Sequence, residues 1–227
     1  MVTVVVAAGA LAGERIEIEG DEHRHLFRAL RLSVGDRLRV VDGRGGARFG
    51  RVETVERRRA GVVLEGSAPD GEPARRVELA IAAIRPERAA WAVEKATEVG
   101  VVAIHWFGSE RAPRRYGERQ LERFRRVAVS AVSQCARSVV PAVGTLSWEA
   151  LLELAGSLPS TVLDPAGDRR PPGGAEHLLL IVGPEGGLTS AEVAALAARG
   201  ATRWGLGPTI VRAETAAIVA SALALCG

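Results

Sequence analysis

The spacing of hydrophobic positions changes about a third of the way along the chain. In the first seventy residues, short runs rich in Val and Ile alternate with polar positions and are broken by glycine or acidic turns, which is typical of strands. The predicted strands cover residues 3–7, 15–19, 37–41, 48–55 and 61–65. Residues 21–31 predict a short amphipathic helix. Brief strands with one helix indicate a small β-barrel, a shape common among nucleic-acid-binding domains.

A stretch of linker composition, residues 66–73, precedes a different pattern. Apolar strands are predicted at residues 77–84, 101–107, 161–163, 178–182 and 203–206. Helices are predicted at residues 87–99, 118–136, 190–198 and 213–225, with one more around Leu151. Alternating strands and helices predict a parallel sheet covered on both faces, so the second domain has an α/β fold. We therefore predict domains at residues 1–70 and 71–227.

Charge is distributed unevenly between the two halves of the chain. Residues 1–140 carry 25 basic and 19 acidic side chains, whereas residues 141–227 carry 5 and 8. The excess is concentrated between His23 and Arg59 and between Arg111 and Arg137. Two basic clusters of this density favour a polyanion such as nucleic acid as the partner of the front half, over a merely solvated charged face.

Several functional classes are disfavoured. Lys95, the single lysine among 30 basic residues, has no glycine before it, so a phosphate-binding loop ending in Gly-Lys is excluded. The histidines are not placed with cysteine or acidic residues at metal-ligand spacing, so we expect no metal. Two cysteines fit a reducing cytosol. The apolar run at residues 2–11 is too short to span a bilayer. We therefore expect a cytoplasmic protein with no membrane association.

Two glycine- and proline-containing loops stand where a ligand would bind. Residues 183–188 read Gly-Pro-Glu-Gly-Gly-Leu between a buried strand and a helix, whose start is indicated by the capping-box spacing of Thr189 and Glu192. Residues 206–208, Leu-Gly-Pro, follow the next strand. Glycines let a ligand approach the backbone, and ligands bind at the carboxyl edge of parallel sheets. By contrast, the glycines of residues 41–46 precede a strand pattern and predict a hairpin.

The helix after the second loop begins with two charged residues of interest. An acid in the first turn, here Glu214, is favourable to the helix dipole and has a structural explanation. A cation at the same end is slightly unfavourable, so Arg212 is expected to have an anionic partner. Arg85 and Arg111 each follow a predicted strand and belong to the same edge of the sheet.

At this point the chain resembles a known family almost from end to end. It is similar to the RsmE family, ribosomal RNA uridine-N3 methyltransferases of the SPOUT class. Loops 183–187 and 206–216 together carry the resemblance most specifically. Further matching segments are residues 25–31, 94–101, 109–111 and 134–141. There are two departures: the family usually has a basic residue where Thr209 stands, and often lysine where Arg85 stands.

The resemblance implies a fold and a cofactor. The expected fold is a PUA-like β-barrel that binds RNA, followed by an α/β SPOUT fold with a C-terminal trefoil knot. The knot would form a pocket for S-adenosyl-L-methionine from loops 163–165, 181–186 and 206–211. The residues implied to bind this cofactor are Leu163, Asp164, Ile181, Val182, Gly183, Pro184, Glu185, Gly186, Leu206, Gly207, Ile210 and Val211. The family forms a homodimer, to which the apolar helix at residues 216–225 is expected to contribute.

The implied reaction is attack by uracil N3 on the cofactor's methyl group. It needs positioning and loss of the N3 proton. The candidate catalytic residues are Arg212, which would stabilise charge on the uracil oxygens, and Glu214, although the identity of the general base stays open. The candidate RNA-binding residues are Arg28, Arg31, Arg85, Arg111 and Arg137. The expected partner is 16S ribosomal RNA, free or in the assembled small subunit.

Two other functions remain open at this stage. Thr209 at a usually basic position makes an inactive RNA-binding or assembly protein of the same fold conceivable. A SPOUT methyltransferase acting on transfer RNA would share the fold. Cofactor binding distinguishes the first alternative, and the identity of the methylated RNA distinguishes the second.

Overall fold

The computed structural model describes residues 1–226, and the chain separates into two compact units. One unit comprises Met1–Glu72 together with Val132–Val140; the other comprises Pro73–Ala131 and the chain from Pro141 onward. The predicted functional boundary, between residues 70 and 71, stays a prediction. Gly227, the last residue of the predicted second domain, lies outside the described residues.

The first unit is built on a five-stranded sheet whose strands agree closely with the predicted ones. The strands are β1 (Thr3–Val5), β2 (Arg15–Glu19), β3 (Arg37–Val41), β4 (Ala47–Val55) and β5 (Arg59–Ser67). Their order is β1-β3-β4-β5-β2, with β1 and β3 parallel and the other neighbours antiparallel. The predicted hairpin at residues 41–46 joins β3 and β4. The sequence predicted a barrel. Within residues 1–226 the strands form one sheet with β1 and β2 at its two ends, and no hydrogen-bonded pairing between those two strands closes it.

The predicted helix at residues 21–31 has an irregular form. It begins as α1 (Gly20–His23) and continues as a π-helical segment, Arg24–Ala29, in which the Leu30 amide donates to the His25 carbonyl. Leu26 on its inner face is fully buried in the core of the sheet. Arg31 then adopts a left-handed backbone with φ of 59°, an uncommon conformation for a residue with a side chain.

The segment Val132–Val140 is held in the first unit by a buried ion pair. The Arg137 side chain is only 2% exposed and donates to Glu72 at 2.6 Å. The other Glu72 oxygen accepts the backbone amides of Ser138 and Val139 at 2.8 and 2.9 Å. Buried Arg39 donates to the Arg137 carbonyl at 2.9 Å. One carboxylate therefore satisfies a buried guanidinium and two backbone donors together.

The second unit is a six-stranded sheet in which every neighbouring pair is parallel, as the strand–helix alternation predicts. Its strands are β6 (Arg76–Ala82), β7 (Ala103–Phe107), β8 (Ala142–Leu146), β9 (Ser160–Asp168), β10 (His177–Val182) and β11 (Thr202–Trp204). The order is β11-β9-β10-β6-β7-β8. The helices are α2 (Pro86–Val99), α3 (Glu118–Cys135), α4 (Trp148–Ser157), α5 (Ser190–Ala197) and α6 (Ala213–Cys226). Strand β8 was not predicted.

Helices cover both faces of this sheet. Alternate residues of a strand point to opposite faces. On one face Ala80 and Ile181 pack with Leu151 of α4 and Leu196 of α5. Helix α6 packs on β6 and β10 and against α2. Both faces of the central strands are consequently buried, which explains their nearly continuous apolar sequences.

We expect Glu72→Ala to be strongly destabilising. The change would leave the Arg137 charge and two backbone amides buried without their acceptor, so the free energy of unfolding should fall by about 3 kcal/mol. Urea denaturation of the whole chain measures this loss. Glu53→Ala, which removes the exposed partner of Arg15, is the matched control and should cost about 0.5 kcal/mol or less. Equal losses in the two variants would contradict a structural role for Glu72.

Candidate functional site

A cavity of about 340 Å³ lies at the carboxyl ends of β9, β10 and β11. This volume falls within the range of small-molecule sites. The chain leaves each of these parallel strands at the same edge of the sheet, so the segments that follow the three strands converge there. Their side chains are mostly small or apolar, so backbone groups supply much of the polar lining.

The cavity brings together nearly all the residues implied to bind a cofactor. Those that line it are Leu163, Asp164, Val182, Gly183, Pro184, Glu185, Gly186, Leu206, Gly207, Ile210 and Val211. Ile181 does not line it. Its side chain is fully buried in the core beneath α4 and α5, because it points to the interior face one residue before the strand ends. Its inclusion in the cofactor site is therefore corrected.

Several lining residues were missed from the sequence. They are Val162, Gly187, Leu188, Val193, Trp204, Ala213 and Ala216. Gly187 and Leu188 end the loop before α5, the other five lie in the strands and helices next to the predicted loops, and all carry ordinary apolar or small side chains. Only their position in the sequence could have predicted them, because residues next to a ligand-binding loop can line the same cavity as the loop.

The first glycine loop is shaped by close contacts and by the helix start that follows it. A Cβ atom at Gly183 would lie 3.0 Å from Leu188 Cγ and 3.1 Å from the Leu188 amide, so this turn has little room for a side chain. Thr189 and Glu192 form the predicted capping box at the start of α5. The Glu192 carboxylate also accepts the Glu110 amide at 2.8 Å, which ties the loop after β7 to α5.

The second half of β9 closely approaches β11 and the residue after it, Gly205, through their backbones. A Cβ at Gly167 would lie 2.6 Å from the Arg203 carbonyl carbon and the Trp204 amide. A Cβ at Gly205 would lie 3.1 to 3.3 Å from three carbonyl oxygens of the loop after Leu163. Arg203 also forms an ion pair with Asp164 at 2.7 Å. Glycine is needed at both positions because the neighbouring backbone leaves little or no room for a side chain.

The two candidate catalytic residues have different surroundings. Arg212 is exposed and lies between two lining residues, Val211 and Ala213; its side chain has no hydrogen bond or ion pair within residues 1–226. The expected anionic partner is therefore not a residue of the described chain. Glu214 is 6% exposed and does not line the cavity, and its Oε2 has no hydrogen-bond partner among the described residues.

Arg88 connects Glu214 to the first glycine loop. Its Nε lies 3.6 Å from Glu214 Oε1, and its Nη1 donates to Glu185 Oε1 at 3.1 Å. Arg88 belongs to α2, so one guanidinium joins α2, the glycine loop and the first turn of α6. Glu185 itself lines the cavity. The short motif Arg-Pro-Glu-Arg after β6 marked this edge, but spacing alone could not identify the partners.

The remaining predicted arginines fall into three situations. Arg28, Arg31 and Arg85 are exposed, without ion pairs within the described part of the chain. Arg111 donates to the Gly186 carbonyl at 2.5 Å and so contacts the glycine loop. Arg137 is buried against Glu72; in this structure it has a structural role, and we no longer assign it to RNA binding.

Within residues 1–226, no group of three or more potential metal-binding side chains is present. In the same residues, no helix is long and apolar enough to cross a membrane.

Two histidines of the second unit share one carboxylate. The Nε2 atoms of His105 and His177 lie 2.7 and 2.9 Å from the oxygens of Glu78. The hydrogen bond from His105 holds the pKa of Glu78 below its usual range, against the opposing effect of burial.

Family comparisons agree with both units of the structure. Residues 71–225 match the model of an RNA methyltransferase domain, and residues 18–65 match an RNA methyltransferase PUA domain. The ribosomal RNA small subunit methyltransferase E of Mycobacterium bovis is 34% identical over 219 residues, covering 89% of this chain and 83% of that protein. The protein of the same name from Bacillus subtilis is 27% identical over 223 residues, covering 89% and 86%.

Solved structures give the same picture. The ribosomal RNA small subunit methyltransferase E of Neisseria gonorrhoeae, crystallised bound to S-adenosyl methionine, superimposes with a TM-score of 0.86. It is 26% identical, and the match covers 98% of this chain and 95% of that one. The architecture of a PUA domain with an α/β methyltransferase domain is therefore established for this chain.

We expect Arg88→Met to lower the free energy of unfolding by about 2 kcal/mol, since it leaves Glu214 buried without a counterion. Adding Glu214→Gln should recover about 1 kcal/mol of that loss, because the uncompensated charge is removed. Denaturant unfolding of wild type, both single variants and the double variant measures the coupling. Simple addition of the two single losses would show that Arg88 and Glu214 do not interact.

Proposed function

The chain belongs to the RNA methyltransferase family of the ribosomal RNA small subunit methyltransferase E proteins, and from this premise we propose that it methylates N3 of one uridine in 16S ribosomal RNA, with S-adenosyl-L-methionine as the methyl donor. The cavity of about 340 Å³ at the carboxyl ends of β9, β10 and β11 is the observation that carries the proposal. Its loops supply backbone groups and apolar side chains instead of a charged cradle.

The residues present fit this cofactor. Apolar side chains such as Val162, Leu206 and Ile210 can hold a flat base, while the amides and carbonyls of loop 183–187 can bind polar groups of a ribose and an amino acid. Glu185 places a carboxylate at the cavity, which suits a ligand that carries positive charge. When bound, the cofactor supplies an electrophilic methyl group.

Arg212 is the residue that we propose acts on the uracil. Arg212 is not itself a lining residue, but it is exposed between two that are, Val211 and Ala213, and its side chain has no partner within residues 1–226, so it is free to donate to the uracil carbonyl oxygens. As the N3 proton leaves, negative charge spreads onto those oxygens, and a fixed cation stabilises it. Arg212 thereby favours the deprotonated, nucleophilic form of the base.

Glu214 is better suited to positioning than to proton transfer. It is buried, does not line the cavity, and is tied through Arg88 to the glycine loop. We therefore propose that Glu214 and Arg88 fix the first turn of α6, and so the position of Arg212. The group that accepts the N3 proton is then another acceptor or water at the cavity.

RNA would bind through exposed arginines on both units. Arg28 lies in the irregular helix of the PUA unit, Arg31 follows that helix, and Arg85 lies at the start of α2. Guanidinium groups without internal partners can contact phosphates, which position RNA without specifying its sequence. Arg111 supports the glycine loop and is placed to face a nucleotide beside it. We propose residues 1–70 as the RNA-binding domain and residues 71–227 as the methyltransferase domain.

A trefoil knot in the second domain also remains our proposal. Its support is the resemblance to the family, together with the close approach of β9 to β11 and the residue after it, where a Cβ at Gly167 or Gly205 would lie 2.6 to 3.3 Å from the other backbone. Because the proposed substrate is ribosomal RNA, free or in the assembled small subunit, we propose that the protein acts in the cytoplasm.

The central experiment is methylation of small-subunit RNA and particles by the purified protein with S-adenosylmethionine, followed by mass-spectrometric mapping of the product. We expect one methyl group on N3 of a single uridine in 16S ribosomal RNA. Modification of transfer RNA alone would support the alternative substrate. Binding of RNA without any transfer would support an inactive assembly protein.

Two variants separate cofactor binding from transfer in the same assay. A Cβ at Gly186 meets only Arg111 carbons, at 3.6 and 4.0 Å, so Gly186→Val should fold but fill part of the cavity. We expect it to lose at least about tenfold in cofactor affinity by calorimetry. Arg212→Ala should retain cofactor affinity and lose about 100- to 1000-fold in rate. The reverse pattern would exchange the two assignments.

We also propose that the protein is a homodimer that uses α6 and α2. These helices pack together and leave Trp91, Val219 and Leu223 exposed. Val219 and Leu223 are four residues apart on α6 and so share one exposed face, which suits contact with a second copy. Sedimentation equilibrium should give twice the chain mass. Leu223→Arg should give the monomer, whereas Val55→Arg, an equally exposed position in β4, should leave the dimer intact. A monomeric wild type would overturn this proposal.

A further inference from the structure

A second, smaller cavity lies at the carboxyl ends of β7 and β8. Its volume is about 70 Å³, and it shares no lining residue with the proposed cofactor cavity. The loop after β7 and the start of α4 form its walls, which include Gly108, Arg114, Arg115 and Ser147. The space holds several waters or a small anion, but it is well below the size of a nucleotide site.

Trp106, one of the lining residues, carries an unsatisfied hydrogen-bond donor. The residue lines the cavity and is 0% exposed, yet its indole Nε1 has no acceptor within residues 1–226. The ring is held edge-on to Tyr116 at 5.1 Å and tilted to Phe124 at 5.6 Å, so it cannot readily turn away. A buried N–H without an acceptor is costly, which favours a ligand that brings an oxygen.

Two adjacent arginines supply positive charge at the same place. Arg114 and Arg115 line the cavity, are exposed, and have no ion pair or hydrogen bond from their side chains within the described residues. The Arg115 Nε lies 3.8 Å from the position of a Cβ on Gly108, so it reaches over the floor of the cavity. Two adjacent guanidiniums lining one cavity give it positive charge, which favours an anionic ligand there.

The other polar groups of the cavity either have a hydrogen-bond partner already or add to its preference for an anion. The Tyr116 hydroxyl donates to the Ile84 carbonyl at 2.6 Å, and burial raises the pKa of this hydroxyl, so it stays a neutral donor. Ser147 caps α4 by accepting the Ala150 amide at 3.1 Å, and the positive end of the α4 dipole faces this edge. Two acids act on residues of the cavity: Glu149 interacts with Arg115 and Glu87 with Tyr116.

We propose that this second cavity binds a phosphodiester group of the substrate RNA, at a nucleotide other than the methylated one. This inference rests on the proposed function. Both cavities open at the carboxyl edge of one sheet, so a single RNA strand crossing that edge can place a uridine in the first and a backbone phosphate in the second. The phosphate oxygens accept from Arg114, Arg115 and the Trp106 indole.

The test uses the full chain and compares two matched pairs of arginines. Arg114→Ala with Arg115→Ala removes the cavity cations; Arg169→Ala with Arg170→Ala removes an adjacent exposed pair elsewhere in the same unit. For the cavity pair we expect the RNA KM to rise at least about fivefold, and the salt dependence of RNA binding to weaken by about two counterions. Cofactor affinity and kcat at saturating RNA should be retained. The control pair should behave like wild type.

Trp106→Phe provides an independent readout. It keeps an aromatic ring and removes the donor, so the RNA KM should rise by about two- to fivefold while cofactor affinity is retained. In wild type, the indole N–H resonance assigned by this variant should shift when RNA is added. Glu149→Gln should lower the RNA KM, because it removes the negative charge that interacts with Arg115.

Each outcome decides between the assignments. A cavity pair whose KM and salt dependence equal those of the control pair overturns the proposal, as does an indole resonance that ignores RNA. A resonance that responds to inorganic phosphate, with an unchanged RNA KM in the cavity variant, shows a site for the free ion only and also overturns it. If wild-type protein methylates no RNA, it is the proposed function that fails, and the cofactor and product assays report this separately.

Discussion

The parallel pairing of six strands is the constraint on which the rest of the second unit depends. Because β9, β10 and β11 run in one direction, their loops end at one edge, and the groups that form the first cavity are brought together by the sheet. The same constraint places the ends of β7 and β8 at that edge. The cofactor cavity and the proposed phosphate site therefore share a rigid support, which fixes their separation better than loops alone could.

A second constraint is the close approach of backbones at this edge. The contacts at Gly167, Gly183 and Gly205 leave little or no room for a Cβ. Loops packed so tightly are held by main-chain contact, so their amides and carbonyls keep fixed directions. Rigid backbone donors lose little entropy when a ligand binds. The glycines therefore help to fix the directions of backbone amides and carbonyls at least as much as they allow flexibility. Charged side chains become necessary only at the rim of this edge, where Arg212 and Arg88 lie.

The sequence predicted regular elements well and side-chain partners poorly. Apolar runs gave nearly all strands and helices, because burial on both faces imposes continuous hydrophobicity. Strand β8 was missed because it is an edge strand with alternating exposure and a glycine. The glycine loops located the cavity. Arg137 was misjudged because composition counts its charge without revealing that Glu72, 65 positions earlier, neutralises it in the interior.

Arginine therefore performs two distinct tasks in this chain, and only burial and pairing separate them. Arg39, Arg88 and Arg137 have acceptors within the fold, and their planar donors join segments far apart in sequence. Arg28, Arg31, Arg114, Arg115 and Arg212 have none within the described residues. Arg75 is an exception among the internal arginines, since its Nε and Nη2 are buried without a partner among the described residues. In the second group, Arg114 and Arg115 line the second cavity and Arg212 adjoins the first, so these are the unpaired charges best placed to contact the proposed RNA substrate.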